Sequence, residues 1–164
     1  MKGPKTGIIF VTSNWFRQVG LQSDEGDLSA DVEKIGGKIV ERLKQFCEPV
    51  YPGVVYDPRE GEKAAREIRE SGAEILLISP LMWCEDGVVR SVLKHLPDLP
   101  ILLLTVFPGA ELPSYLPYQE MLKGSGTVGS LQFSGMFRRE NRDFVSVSGS
   151  YTDEKLYEAL AVHL

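Results

Sequence analysis

Both tryptophans of the chain sit in stretches of polar, chemically versatile residues: Thr12-Ser13-Asn14-Trp15-Phe16-Arg17-Gln18 and Ser79-Pro80-Leu81-Met82-Trp83-Cys84-Glu85-Asp86. An indole offers a flat apolar face and one N–H, a guanidinium a planar fork of donors, and a carboxylate a pair of acceptors. Trp15 and Trp83, with Arg17 and Glu85 close by in sequence, therefore suit a sugar face, a carboxylate or a partner subunit. A tryptophan in such a place also serves as a structural lid, and residue type alone leaves the two roles open.

A literal nucleotide-type signature occurs once, at Gly124-Ser125-Gly126-Thr127-Val128-Gly129. A dinucleotide fingerprint follows the first strand directly and is answered by an acidic residue ending a later strand. Here the glycines come late, after a long loop, and Asp143 precedes its strand instead of ending it. The glycines are expected to allow tight turns and to open a helix whose N-terminal amides, at Gly124 and Gly126, face a polar ligand. A phospho-acceptor receiver domain needs an Asp ending its third strand, where Ser79-Pro80 stands. A flavin phosphate loop wants small hydroxyl residues, and Thr12-Ser13-Asn14 is soon followed by bulky Trp15-Phe16. His95 and His163 lie away from both tryptophan stretches and are expected at the surface, so no Ser–His or Cys–His pair and no metal site is expected within this chain. Cys47 and Cys84 match no metal spacing and are expected as reduced thiols.

The elements that position these residues alternate between two kinds of pattern. The continuous apolar run Gly7 to Val11 predicts a strand buried on both faces, and Glu74 to Ile78 and Pro100 to Val106, the most hydrophobic, predict two more strands. Val50 to Tyr56, interrupted by Pro52-Gly53, predicts an edge strand or a short strand starting after the proline, and Phe144 to Val147 a fifth strand. Between them lie helical spacings: Val32, Ile35, Ile39, Leu43 and Phe46 after a cap at Ser29; Ala64, Ala65 and Ile68 between Asp57-Pro58-Arg59-Glu60 and Gly72; Val88, Val89, Val92 and Leu93 from Asp86. A proline-rich loop from Phe107 to Pro117 precedes helical stretches at Tyr118 to Leu122 and Val128 to Phe137, and Thr152 is placed to cap a last helix. Strands alternating with helices predict an α/β fold: a three-layer α/β/α sandwich with a five-stranded parallel sheet, flavodoxin-like or Rossmann-like, of order 2-1-3-4-5. In that order the loops after strands one and three meet where strand order reverses, and those are the two tryptophan loops.

At 164 residues the chain is expected to form a single α/β domain spanning 1–164. A net charge of -5, with only Arg138, Arg139 and Arg142 clustered, argues against a nucleic-acid footprint. The apolar run at the start is too short for a signal peptide or a membrane span, so a cytoplasmic protein with no membrane partner is expected.

Three segments carry a family resemblance. Ile78-Ser79-Pro80-Leu81-Met82-Trp83-Cys84-Glu85 resembles the Thr-Pro-x-Trp-Cys loop of fucose isomerases, Leu96-Pro97-Asp98-Leu99-Pro100 leads into the next strand as it does there, and Gly124 to Tyr151, continued by Thr152-Asp153-Glu154-Lys155, is similar to the end of the arabinose isomerase N-terminal domain. The chain thus resembles the N-terminal domain of the L-fucose/L-arabinose isomerase family along nearly its whole length. The resemblance implies an aldose–ketose isomerase of carbohydrate metabolism, working with Mn²⁺ as a homo-oligomer. In it this domain covers the active site of a neighbouring subunit while later domains hold the metal. It implies a pentose or 6-deoxyhexose as ligand, with Trp83 and Arg17 reaching the sugar and Asn14 and Gln119 near it. Asn14 and Trp15 stand where the arabinose pattern has glutamine and histidine. No catalytic residue and no isomerase activity is expected of this chain alone, and its last helix, without a stop signal, is expected to end at a domain border. The alternatives are a stand-alone sugar- or nucleotide-binding module of the same fold, and a flavin or dinucleotide oxidoreductase domain using Gly124 to Gly129.

Overall fold

A computed structural model describes residues 3–20, 28–109, 111 and 114–164. The first apolar run forms β1 (Lys5–Val11), in which Ile8, Ile9, Phe10 and Val11 are fully buried. Successive side chains of a strand point to opposite faces, so a run apolar at every position requires cover on both. Ile8 and Phe10 enter one core with Phe16 of α1 (Asn14–Gly20), Leu28, Val32, Ile39 and Leu43 of α2 (Leu28–Leu43) and Leu156, Tyr157 and Leu160 near the end of the chain. Ile9 and Val11 enter a second core on the other face. It is closed by Ala64, Ala65 and Ile68 of α3 (Pro58–Ser71), Val88, Val89 and Val92 of α4 (Asp86–Leu93), and Phe133, Met136 and Phe137 of α6 (Gly126–Arg139). A fully buried Val, Leu, Ile, Met or Phe among these contributes about 1.5–3 kcal/mol and the alanines less, and this burial holds the three layers together.

The second strand is broken. Pro52-Gly53 separates β2 (Glu48–Val50) from β3 (Val54–Val55), Gly53 taking φ 110°. Both pair with β1 in parallel, at Lys5↔Glu48 and Phe10↔Val54, so they are two halves of one edge. With β4 (Ile75–Pro80), β5 (Ile101–Phe107) and β6 (Phe144–Ser150) the order is β2-β1-β4-β5-β6, every pairing parallel. This is the expected 2-1-3-4-5 arrangement with its edge strand split. The fold is α/β with a flavodoxin-like or Rossmann-like parallel sheet flanked by helices.

Helix α3 starts as its sequence dictates: the Asp57 carboxylate accepts from the amides of Arg59 (2.8 Å) and Glu60 (2.9 Å), with Pro58 in the first turn. It stops at Gly72, whose φ of 75° places it in the left-handed region. Three other starts differ from expectation. Helix α2 already includes Leu28, so Ser29 lies inside its first turn and not at its cap, and residue 27 lies outside the described residues. Helix α6 begins at Gly126, because the turn of α5 (Tyr118–Lys123) runs almost directly into it. Helix α7 (Glu154–Ala161) is capped by Asp153, which accepts from the Lys155 amide at 3.0 Å. The Thr152 hydroxyl instead meets that of Ser150 at 2.9 Å. Among the described residues no helix is long and apolar enough to cross a membrane.

Candidate functional site at the carboxyl end of the sheet

β1 hands over to α1 through Thr12-Ser13, and β4 to α4 through Leu81 to Glu85. Backbone pairing continues past both strand ends. Leu81 N donates to Val11 O (3.0 Å), Ser13 N to Trp83 O (3.0 Å), and Thr12 N to Val55 O (3.1 Å). Where strand order reverses, the two loops are therefore joined edge to edge. Above this seam the Ser13 hydroxyl donates to Glu85 Oε1 at 2.9 Å and accepts from the Trp15 amide at 3.3 Å. Ser13 is buried, Glu85 exposed and Asn14 half-buried. Trp15 is 47% exposed and stands edge-on to buried Phe16, ring centroids 4.9 Å apart.

Trp83 is half-buried against the first core. Its amide donates to Ser125 Oγ at 3.0 Å, and its indole Nε1 donates to Gln132 Oε1 at 3.0 Å. Gln132 Nε2 in turn donates to Asp86 Oδ1 at 2.7 Å, and Asp86 Oδ2 lies 3.7 Å from Arg139 Nη2. Helix α6 comes this near because of its glycines. A Cβ on Gly126 would lie 2.2 Å from the Pro80 carbonyl oxygen, and one on Gly129 would lie 2.8 Å from Pro80 Cβ. The glycine-rich segment thus works as a packing device. The amides of Gly124 (to Glu120 O, 3.1 Å), Thr127 (to Gly124 O, 3.3 Å), Val128 and Gly129 (both to Ser125 O, 3.1 and 3.3 Å) are bonded within the chain. Gly126 itself is buried against Pro80 and Leu81.

Arg17 belongs to a different set. Its Nη1 meets Glu60 Oε1 at 3.0 Å and its guanidinium lies 3.7 Å above the Tyr56 ring. Glu60 Oε2 accepts from the Tyr56 amide at 2.8 Å, and the Tyr56 hydroxyl faces Glu33 Oε1 at 3.4 Å. Burial, then the Glu33 charge, pushes the Tyr56 phenol well above its ordinary range. Arg17 so ties α1 to the start of α3, while Ser13, Trp15, Trp83 and Glu85 gather at the seam. Gln119 is half-buried on α5. That helix is held to α2 by Lys123, whose Nζ meets Asp31 at 2.7 Å and Glu120 at 2.8 Å. Burial pulls the Lys123 ammonium down, but these two carboxylates outweigh it and leave it above its ordinary value.

Large apolar side chains are exposed in the segments that follow β5: Tyr115 (78%), Leu116, Tyr118 (61%) and Met121, then Val128 and Leu131 on α6. Among the described residues no group of three or more His, Cys, Asp or Glu is placed to hold a metal ion. His163 is exposed as expected, but His95 is half-buried and its Nε2 is enclosed without a partner among the described residues. Cys47 and Cys84 are free and buried, and the Cys84 thiol is raised by burial and by the charges of Glu85 and Asp86. A cavity of about 240 Å³ lies along the sheet edge, between Pro52, Val54 and Val55 and the α3 residues Glu60, Lys63 and Glu67.

Glu60 and Gln132 are participants from outside both tryptophan loops, and Ser13, inside the first, is singled out only by its bond to Glu85. For Gln132 a signal exists: Ser125, Gly129 and Gln132 recur at helical spacing, a small-and-polar stripe on one side of α6. No family model matches the chain, and no curated protein matches it.

Proposed function

We propose that this chain is the substrate-covering domain of an aldose–ketose isomerase of the L-fucose/L-arabinose type, contacting a pentose or 6-deoxyhexose and contributing one wall to an active site completed by a neighbouring subunit. The observation that supports this is the rim itself. Exposed Trp15 stands beside the Ser13–Glu85 pair and Asn14, with Trp83 across the seam. Aromatic surface with a few directed polar groups is what a sugar-facing wall requires. Exposed Tyr115 and Tyr118, in the segments after β5, suit contact with a neighbouring subunit. Arg17 is paired with Glu60 through one of its nitrogens, and its remaining N–H donors are what it would offer to such a ligand. The residues described do not fit Mn²⁺, so in this reading the metal is held outside them and no step through it is assigned to this chain.

The test assays the product of the complete reading frame, with added Mn²⁺, for interconversion of L-arabinose or L-fucose with the matching ketose. Turnover is expected from that product and none from residues 1–164 alone. Trp15→Ala in the same product should lower kcat/KM by about three- to tenfold, the range of one lost aromatic contact, with little change in melting temperature. Failure of the complete product to turn over any pentose or 6-deoxyhexose, or turnover by the 164 residues unaided, overturns the proposal.

A further inference from the structure

We propose that the glycine-rich segment and Gln132 form a clamp that fixes Trp83, so that its indole meets a ligand through ring carbon and never through its N–H. The inference rests on the rim being a sugar-facing wall, and it narrows what Trp83 recognises there: the C–H face of the sugar, not its hydroxyl groups. Every polar atom of Trp83 is already bonded inside the chain. Its amide donates to Ser125 Oγ, its carbonyl accepts from Ser13 N, and its Nε1 donates to Gln132. The tryptophan side chain has no donor or acceptor besides Nε1, so only its ring surface is left to a ligand.

The orientation of the clamp follows from its partners. An indole N–H can only donate, so the Gln132 carbonyl oxygen must face it. The Asp86 carboxylate accepts, so the Gln132 amide nitrogen must face Asp86. Flipping the amide would set donor against donor and acceptor against acceptor and lose both bonds. Arg139 approaches the far oxygen of Asp86 and extends the relay along α6. Two further features of the same helix complete the clamp. Gly126 and Gly129 let α6 approach the Pro80–Trp83 loop, and Ser125 holds the Trp83 backbone. Gln132 is thus a positioning residue, acting through Trp83.

The experiment follows the ¹H–¹⁵N signal of the Trp83 indole, assigned by its disappearance in Trp83→Phe. In Gln132→Leu the signal is expected to shift upfield and its hydrogen exchange to speed up by about tenfold, as for loss of one hydrogen bond. Gln132→Glu keeps an acceptor for the indole but sets carboxylate against carboxylate. Adding Asp86→Asn to it restores a donor–acceptor match in reversed order and should return both shift and protection. A residue that merely fills space would show no such rescue. An unchanged indole signal in Gln132→Leu overturns the clamp. So does a failed rescue in the folded double variant, which also decides the case if Gln132→Leu does not fold. Titration with L-fucose and L-arabinose is expected to move the ring C–H signals of Trp83 and leave its N–H in place. A sugar that draws the N–H into a new bond overturns the inference. Absence of any sugar response at the rim counts against the sugar-facing wall alone, because the Gln132 series judges the clamp without a ligand.

Discussion

Alanine at position 126 tests the contact on which the rim is built. The added Cβ would lie 2.2 Å from the Pro80 carbonyl oxygen and 3.0 Å from that of Leu81, both backbone atoms that no rotamer change can move aside. Helix α6 would have to withdraw by roughly 1 Å to reach ordinary contact, and overpacking of this kind costs about 1–3 kcal/mol. Replacing a glycine returns up to about 1 kcal/mol of helix propensity, less at a first helical residue such as this one. The balance is a loss of about 2 kcal/mol, which in a chain of this size lowers the melting temperature by about 4–8 °C. Gly37 is the control, since it is exposed within α2 and a Cβ there meets nothing within 4 Å. Gly37→Ala should stabilise by about 0.5–1 kcal/mol and raise the midpoint by about 1–4 °C. Thermal and urea unfolding followed by circular dichroism measure both. A Gly126→Ala midpoint at or above the parent value would refute the close approach of α6 to the Pro80 loop.

Burial, then the Glu33 charge, raises the Tyr51 phenol from 10.0 to about 12, so the folded chain keeps a proton that the unfolded chain has released. Stability is therefore full below the ordinary phenol value and falls as pH rises from there through about 12. Ultraviolet titration should show a late phenolate component that Tyr51→Phe removes; a Tyr51 component at the ordinary value would contradict this. Cys47 and Cys84 are buried thiols raised by burial, so a thiol reagent should label them only as fast as the chain opens, and urea through the unfolding transition should expose both. Immediate labelling of the native protein would sink this account.

The fold was legible wherever one local signal governed an element. Asp57-Pro58 and Gly72 bracket α3, runs such as Ile8 to Val11 announce a strand covered on both faces, and Pro52-Gly53 marks the broken edge. Local signals erred where a neighbour competed for the same job. Thr152 has the right chemistry for a cap, but its hydroxyl is taken by Ser150 and the adjacent Asp153 caps instead. For the site, sequence placed Trp15, Trp83 and Glu85 at the carboxyl end of the sheet, because strand order dictates which loops meet there. It could not pair Arg17 with Glu60, nor Trp83 with Gln132, since these contacts join residues 43 and 49 positions apart. The glycine signature is the instructive case. Its spacing resembles a phosphate loop, yet what selects glycine here is the nearness of the Pro80 carbonyl, which only the packed structure reveals.

The seam between β1 and β4 also bears on the thermodynamics of binding. Hydrogen bonds from Leu81 to Val11 and from Ser13 to Trp83 carry the sheet's own pairing into the loops. A mobile loop that must order around a ligand loses about 1–2 kcal/mol of backbone entropy per residue as it does so. At the residues these bonds hold, that loss is taken when the sheet forms and not when a ligand arrives. Ser13 and Trp83 are therefore pre-organised, and in the proposed sugar-facing wall a small ligand with few contacts would not first have to overcome the cost of arranging them.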